Sequence, residues 1–102
     1  MSAIKINQNE FQKVRENKGI ALLDFYADWC GPCRMLSPIV DQVAEEREDI
    51  LVGKVNVDDE QELAQQFGVI SIPTLVVLRD GKVVHQSSGV RPKEDVLKLL
   101  EG

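Results

Sequence analysis

Two cysteines, Cys30 and Cys33, are the only thiols in this 102-residue chain, and only Gly31 and Pro32 separate them. A thiolate can attack a disulfide sulfur, and a second thiol close by can then release the product by closing an intramolecular disulfide. That chemistry depends on a lowered thiol pKa. The flanking sequence offers a means of lowering it. Nearly continuous apolar sequence from Ile20 to Ala27 precedes the pair, and Leu36, Ile39, Val40 and Val43 follow at helical spacing. The cysteines therefore open a helix, whose first turn has unpaired N–H groups and a partial positive charge. Cys30 gains both, and Cys33, one turn further in, can meet it. Pro32 fixes one backbone angle and Gly31 leaves room for another chain to approach.

Other uses of the pair fit less well. A zinc site takes about four ligands, and beyond the two thiols the chain holds a single histidine, the distant His85. No metal is expected. A structural disulfide across so short a loop restrains little, and an incidental pair of buried cysteines has no reason to fall at a strand-to-helix turn. Dithiol chemistry also needs no organic cofactor, because the two sulfurs themselves hold the electron pair.

The composition limits the remaining classes. Apolar residues make up 43% and charged residues 28% of the chain, ordinary values for a folded protein. The length suits one domain spanning residues 1–102. A net charge of -5 argues against a nucleic-acid partner, whose phosphates such a surface repels. No apolar run approaches membrane-spanning length, so no membrane partner is expected. The segment Met1 to Ile6 has neither a basic stretch nor a long apolar one, and the expected location is the cytoplasm.

The elements that must position the cysteines can be read in outline. Ile4 to Ile6 suggests a short strand, and Asn7 with Glu10 a capping box for a helix bearing Phe11 and Val14, stopped by Gly19. Ile20 to Ala27 has the pattern of a central strand buried on both faces, with Asp24 its one charged member. The cysteine helix runs to about Glu48 with Pro38 inside it. Ile50 to Val57 is β-rich. Asp58 or Asp59 could cap a short helix holding Leu63 and Phe67, closed by Gly68. Thr74–Leu78 and Lys82–Val84 flank Arg79-Asp80-Gly81, a hairpin signal. Pro92 suits the first turn of a last helix with Val96, Leu99 and Leu100 inward. The order β-α-β-α-β-α-β-β-α predicts an α/β fold, with a mixed five-stranded sheet flanked by four helices. Cys30 would lie beyond the carboxyl end of a strand, where such folds place their chemistry.

Several motifs together resemble the thioredoxin family. Phe25-Tyr26-Ala27-Asp28-Trp29-Cys30-Gly31-Pro32-Cys33, Lys54-Val55-Asn56-Val57-Asp58, Ile72-Pro73-Thr74 and Asp80-Gly81 occur in that family's order and spacing, across essentially the whole chain. The resemblance implies the thioredoxin fold, with Cys30 as an exposed attacking thiolate and Cys33 as a buried resolving thiol. It matches Asp24 to a buried carboxylate that takes the proton of Cys33, and Lys54 to that carboxylate's partner. Pro73 matches a cis-proline facing the cysteines. Trp29, Gly31, Pro32, Ile72, Pro73, Gly89 and Val90 would then form a mostly apolar platform for a target segment. From the residues alone, Asp24 could face water, Lys54 could be an ordinary surface lysine, and Ile72-Pro73 could open an edge strand in trans.

The activity implied is reduction of disulfides in target proteins by a monomer that a thioredoxin reductase recycles. Gly31-Pro32 is the dipeptide of reductants in this family, whereas glutaredoxins commonly carry Pro-Tyr and disulfide isomerases Gly-His. The rival readings are a docking subunit with secondary redox activity and a thiol oxidase or isomerase.

Overall fold

Strand β2, Ile20–Tyr26, lies at the centre of the architecture in a computed structural model that describes residues 3–101. It is followed by helix α2 (Gly31–Glu46), strand β3 (Leu51–Asn56), helix α3 (Gln61–Gln66), strands β4 (Thr74–Arg79) and β5 (Lys82–Ser88), and helix α4 (Lys93–Glu101). Before it come strand β1 (Ile4–Lys5) and helix α1 (Phe11–Glu16), which is entered through a 3-10 turn at Gln8–Glu10. Among the described residues the strands form one five-stranded sheet in the order β1-β3-β2-β4-β5. The β1, β3 and β2 pairings are parallel, and those of β2 with β4 and of β4 with β5 are antiparallel. This is the mixed sheet that the sequence pattern predicts.

Side chains alternate across β2, so each face of the strand feeds a separate core. Ile20 and Leu22 join Val52, Leu75 and Val77 beneath α2 and α4. Ala21, Leu23 and Phe25 join Val55, Val76 and Leu78 beneath α1 and α3. Asp24 shares the first of these faces with Leu22, and it is buried with only 1% of its surface exposed.

Three local signals resolve differently from their sequence reading. The Asn7 side chain does cap the first turn, accepting from the Glu10 N–H at 2.9 Å. The reciprocal arm of the capping box is not made, and the Glu10 carboxylate lies 3.8 Å from the Lys13 ammonium instead. Helix α1 ends at Glu16 with Asn17 already extended; Gly19, at φ +87°, shapes the entry to β2. Neither Asp58 nor Asp59 caps α3, whose N-cap is Glu60 without a side-chain bond.

The hairpin turn carries positive φ at both Asp80 (53°) and Gly81 (82°), the conformation that short hairpin loops demand. It is tied back to the start of β2: the Gly19 N–H donates to Asp80 Oδ1 at 2.7 Å, and the Asp80 N–H donates to the Gly19 carbonyl at 2.9 Å. A Cβ at Gly81 would fall on the Arg15 carbonyl oxygen of α1. Gly81→Ala therefore combines backbone strain with a backbone clash, and is expected to cost about 1–3 kcal/mol. Urea denaturation of the two proteins measures it; a loss below about 0.5 kcal/mol would show that the turn is not pinned against α1.

Candidate active site at the start of helix α2

The turn between β2 and α2 is fixed by the backbone. The Cys30 N–H donates to the Ala27 carbonyl at 3.2 Å, and the Val57 N–H to the Tyr26 carbonyl at 2.8 Å. Cys30 is the N-cap of α2, in an extended conformation (φ -88°, ψ 113°). Its sulfur accepts from the Cys33 N–H at 3.2 Å. That amide is one of the donors a helix start leaves unpaired, and it stabilises negative charge on the sulfur it meets. Cys30 and Cys33 are disulfide-bonded, with their Cα atoms 5.2 Å apart.

Both cysteines are buried here. Cys30 is 5% and Cys33 2% exposed, so the expectation of an exposed Cys30 is corrected for this disulfide state. The cause is local packing. The sulfurs turn toward each other over Ala27, and Tyr26, Val57 and Ile72 close around them. The Ile72 carbonyl oxygen lies 3.9 Å from Cys30 Sγ.

Two loops frame the pair. The Ile72–Pro73 peptide is cis. The Thr74 hydroxyl donates to the Ser71 carbonyl at 2.6 Å, and the Gly89 N–H donates to the Pro73 carbonyl at 2.9 Å, which ties the end of β5 to the proline. Gly31, Pro32 and Val90 are exposed. Trp29 is 68% exposed, yet its ring is held: Nε1–H donates to Asp58 Oδ2 at 2.9 Å. The Asp58 N–H donates in turn to Asn56 Oδ1 at 2.9 Å. Sequence reading treats Asp58 as a helix cap and misses this role, although the aspartate stands in the quoted Lys54–Asp58 run. Ile70, which the family resemblance marks as a variable position before Ile72-Pro73, is 99% exposed.

Beneath α2, Asp24 faces Lys54 across the β2–β3 ladder and Leu75 across the β2–β4 ladder. Lys54 makes no direct ion pair or hydrogen bond with Asp24. The Lys54 ammonium sits on α2 instead, 2.9 Å from Asp41 Oδ1 and 2.6 Å from Ser37 Oγ. Asp24 Oδ1 is buried without a hydrogen-bond partner. Desolvation pushes the Asp24 pKa up from 3.8 to about 6, with the Lys54 charge opposing and the Asp41 charge adding to the rise. Among the described residues no three His, Cys, Asp or Glu side chains converge to hold a metal, and no helix is long and apolar enough to cross a membrane.

A dithiol that closes across the first turn of a helix, at the carboxyl end of a central strand and against a cis-proline, defines a dithiol–disulfide oxidoreductase. The thioredoxin family model matches residues 2–102. The chain is 43% identical to a thioredoxin of Bacillus subtilis over 101 residues, covering 98% of this chain and 96% of that one. It is 47% identical to a thioredoxin of Listeria monocytogenes over 85 residues, 82% of each. The solved structure of a mutant thioredoxin from Halobacterium salinarum superposes with a TM-score of 0.91 at 40% identity, covering 98% of this chain and 88% of that one. The chain belongs to the thioredoxin family.

The raised pKa of Asp24 has a consequence for stability. A folded-state pKa above the unfolded value means that the native state holds the proton more tightly. Its contribution is full below about pH 4 and is lost as pH rises through about 6. At about 1.4 kcal/mol per pH unit between the two values, the loss is about 3 kcal/mol at neutral pH. Asp24→Asn should remove that slope and be the more stable protein at neutral pH. Denaturant melts at acidic and neutral pH check this, and a variant less stable than the parent at neutral pH would contradict it.

Proposed function

We propose that Cys30 is the attacking thiolate and Cys33 the resolving thiol of a general protein-disulfide reductase. The observation that carries the assignment is the Cys33 N–H on Cys30 Sγ, a donor at a helix start that favours the thiolate of Cys30 and not that of Cys33. Reduced Cys30 attacks one sulfur of a target disulfide, forming a mixed disulfide and releasing a target thiolate. Cys33 gives its proton to Asp24 and attacks Cys30 Sγ. The second target sulfur leaves as a thiolate, and the two electrons held by the dithiol now reside on the target. A carboxyl with a pKa of about 6 suits that proton transfer near neutral pH.

Target recognition falls to the rim. Trp29, Gly31, Pro32, Ile72, Pro73, Gly89 and Val90 would form the rim of the pair, and an extended target segment would lie beside the Ile72 backbone, outside the ladder of β4. Ile70 widens this platform with a fully exposed apolar side chain, favouring targets with an apolar residue near the disulfide. A thioredoxin reductase returns the two electrons to Cys30–Cys33. The working form is a monomer in the cytoplasm, with no metal or organic cofactor.

Trapping distinguishes the two cysteines. With a disulfide-containing substrate, Cys33→Ser should accumulate the mixed disulfide at close to one equivalent, whereas Cys30→Ser should form none and reduce nothing. Accumulation on Cys30→Ser would reverse the roles. Activity that survives both replacements would identify a docking function. The direction of electron flow is read from the midpoint potential. A reductant working against a cytosolic glutathione pool needs a value below about -220 mV, and one above about -180 mV would favour the oxidase or isomerase reading.

A further inference from the structure

Cys33, Ser37 and Asp41 stand four residues apart along α2, so they form one stripe on the helix face that lies over β2 and β3. The stripe borders the apolar one of Leu36, Val40 and Val43. The Lys54 ammonium reaches up to it from β3 and is held by both Ser37 and Asp41. A cavity of about 220 Å³ opens at the cysteine end of the stripe, lined by Tyr26, Ala27, Asp28, Cys33, Arg34 and Ser37. Ser37 thus touches both the space beside the resolving cysteine and the lysine next to Asp24.

We propose that Asp41, assisted by Ser37, is a positioning residue that draws the Lys54 ammonium onto α2 and away from the buried Asp24 carboxylate. The inference rests on the reading of Asp24 as the proton acceptor for Cys33. An ammonium in direct contact with Asp24 would hold it as a permanent, weakly basic anion. Paired instead at 2.9 Å with Asp41, the Lys54 charge is partly offset at Asp24, where Lys54 remains the stronger of the two influences. The unpartnered Oδ1 of Asp24 is what such an arrangement leaves behind. The charged groups facing Asp24 are Lys54 from β3 and Asp41 from α2. Among the described residues the other surroundings carry no charge: Leu75 is its register partner on β4, α4 brings Val96 and Leu100 to this face, β2 itself adds Tyr26, and the buried Cys33 of α2 is held in the disulfide. Asp41 is 46% exposed at the side chain, so Asp41→Asn keeps the shape of the surface and the fold.

The test is a four-protein titration of Asp24 by carboxyl-carbon NMR: the parent, Asp41→Asn, Lys54→Met, and the double variant. Asp41→Asn should lower the Asp24 midpoint by at least about 0.5 pH unit, because it removes a like charge and frees Lys54 to approach. In the Lys54→Met background the same substitution should lower it by less than half as much, since only the direct field of Asp41 is then lost. A smaller drop in the parent background, or a drop half as large or larger without Lys54, would overturn the proposal. The pH profile of disulfide reduction separates this from the proton-acceptor reading. If the Asp24 midpoint moves as expected while the acidic limb of the rate profile stays in place, Lys54 positioning stands and the role of Asp24 as acceptor falls.

Discussion

The double burial of β2 is the constraint on which the other features rest. Its backbone is paired on both sides, with β3 in parallel and β4 in antiparallel register, and each of its faces is covered by a pair of helices. No position in the interior of such a strand can turn a side chain to water. A carboxylate placed there must be desolvated, and Asp24 is. The same rigidity fixes where the strand ends. The Ala27 carbonyl accepts the Cys30 N–H, and Cys30 becomes the N-cap from which α2 begins. The reactive pair is thus placed by the most deeply buried strand of the sheet.

The topology then explains why residues far apart in sequence meet at that point. β3 runs parallel to β2, so both finish at the same edge of the sheet, and Asp58 just past the end of β3 can reach Trp29. β4 runs antiparallel to β2, so its beginning lies where β2 ends, which brings Ile72 and Pro73 to Cys30. β5 reverses once more and delivers Gly89 to Pro73. Three strand ends and one strand start converge on the first turn of a single helix. The helix supplies donors, the strands supply the rim, and neither needs a long loop.

Features written in local pattern were legible in the sequence. The nearly continuous apolar run of β2, the helical spacing after Cys33 and the Asp80-Gly81 turn each state their own conformation, because burial on two faces, on one stripe, or a positive φ selects residue types directly. Features decided by long-range partners were not. Asp58 has the chemistry of a helix cap, and only the parallel finish of β2 and β3 reveals that it meets an indole instead. Gly19 looks like a helix stop, but its conformation serves the bond to Asp80, sixty-one residues away. The burial of Cys30 depends on Ile72, which comes from another loop. Lys54 is matched to Asp24 through the family resemblance alone, and the hydroxyl and carboxylate that capture it come from α2, a layer that strand pattern does not describe.

That layer decides what kind of acid Asp24 is. Leu22, Leu75 and Val77 surround it on this face, and an apolar residue in its place would pack without a desolvation cost. A carboxylate held there against the stability of the fold needs its charge balanced within narrow limits. Desolvation unopposed would raise its pKa further, toward a carboxyl that already holds its proton and can accept none. A lysine in contact would leave it ionised well below neutral pH, where it would hold a proton too weakly to draw one from a thiol. Lys54, bound to Asp41 and Ser37, stands between these extremes: near enough to oppose desolvation, and engaged enough not to cancel it. Proton affinity at Asp24 is therefore a property of two layers, set by the burial of the strand and adjusted from the helix that carries Cys33.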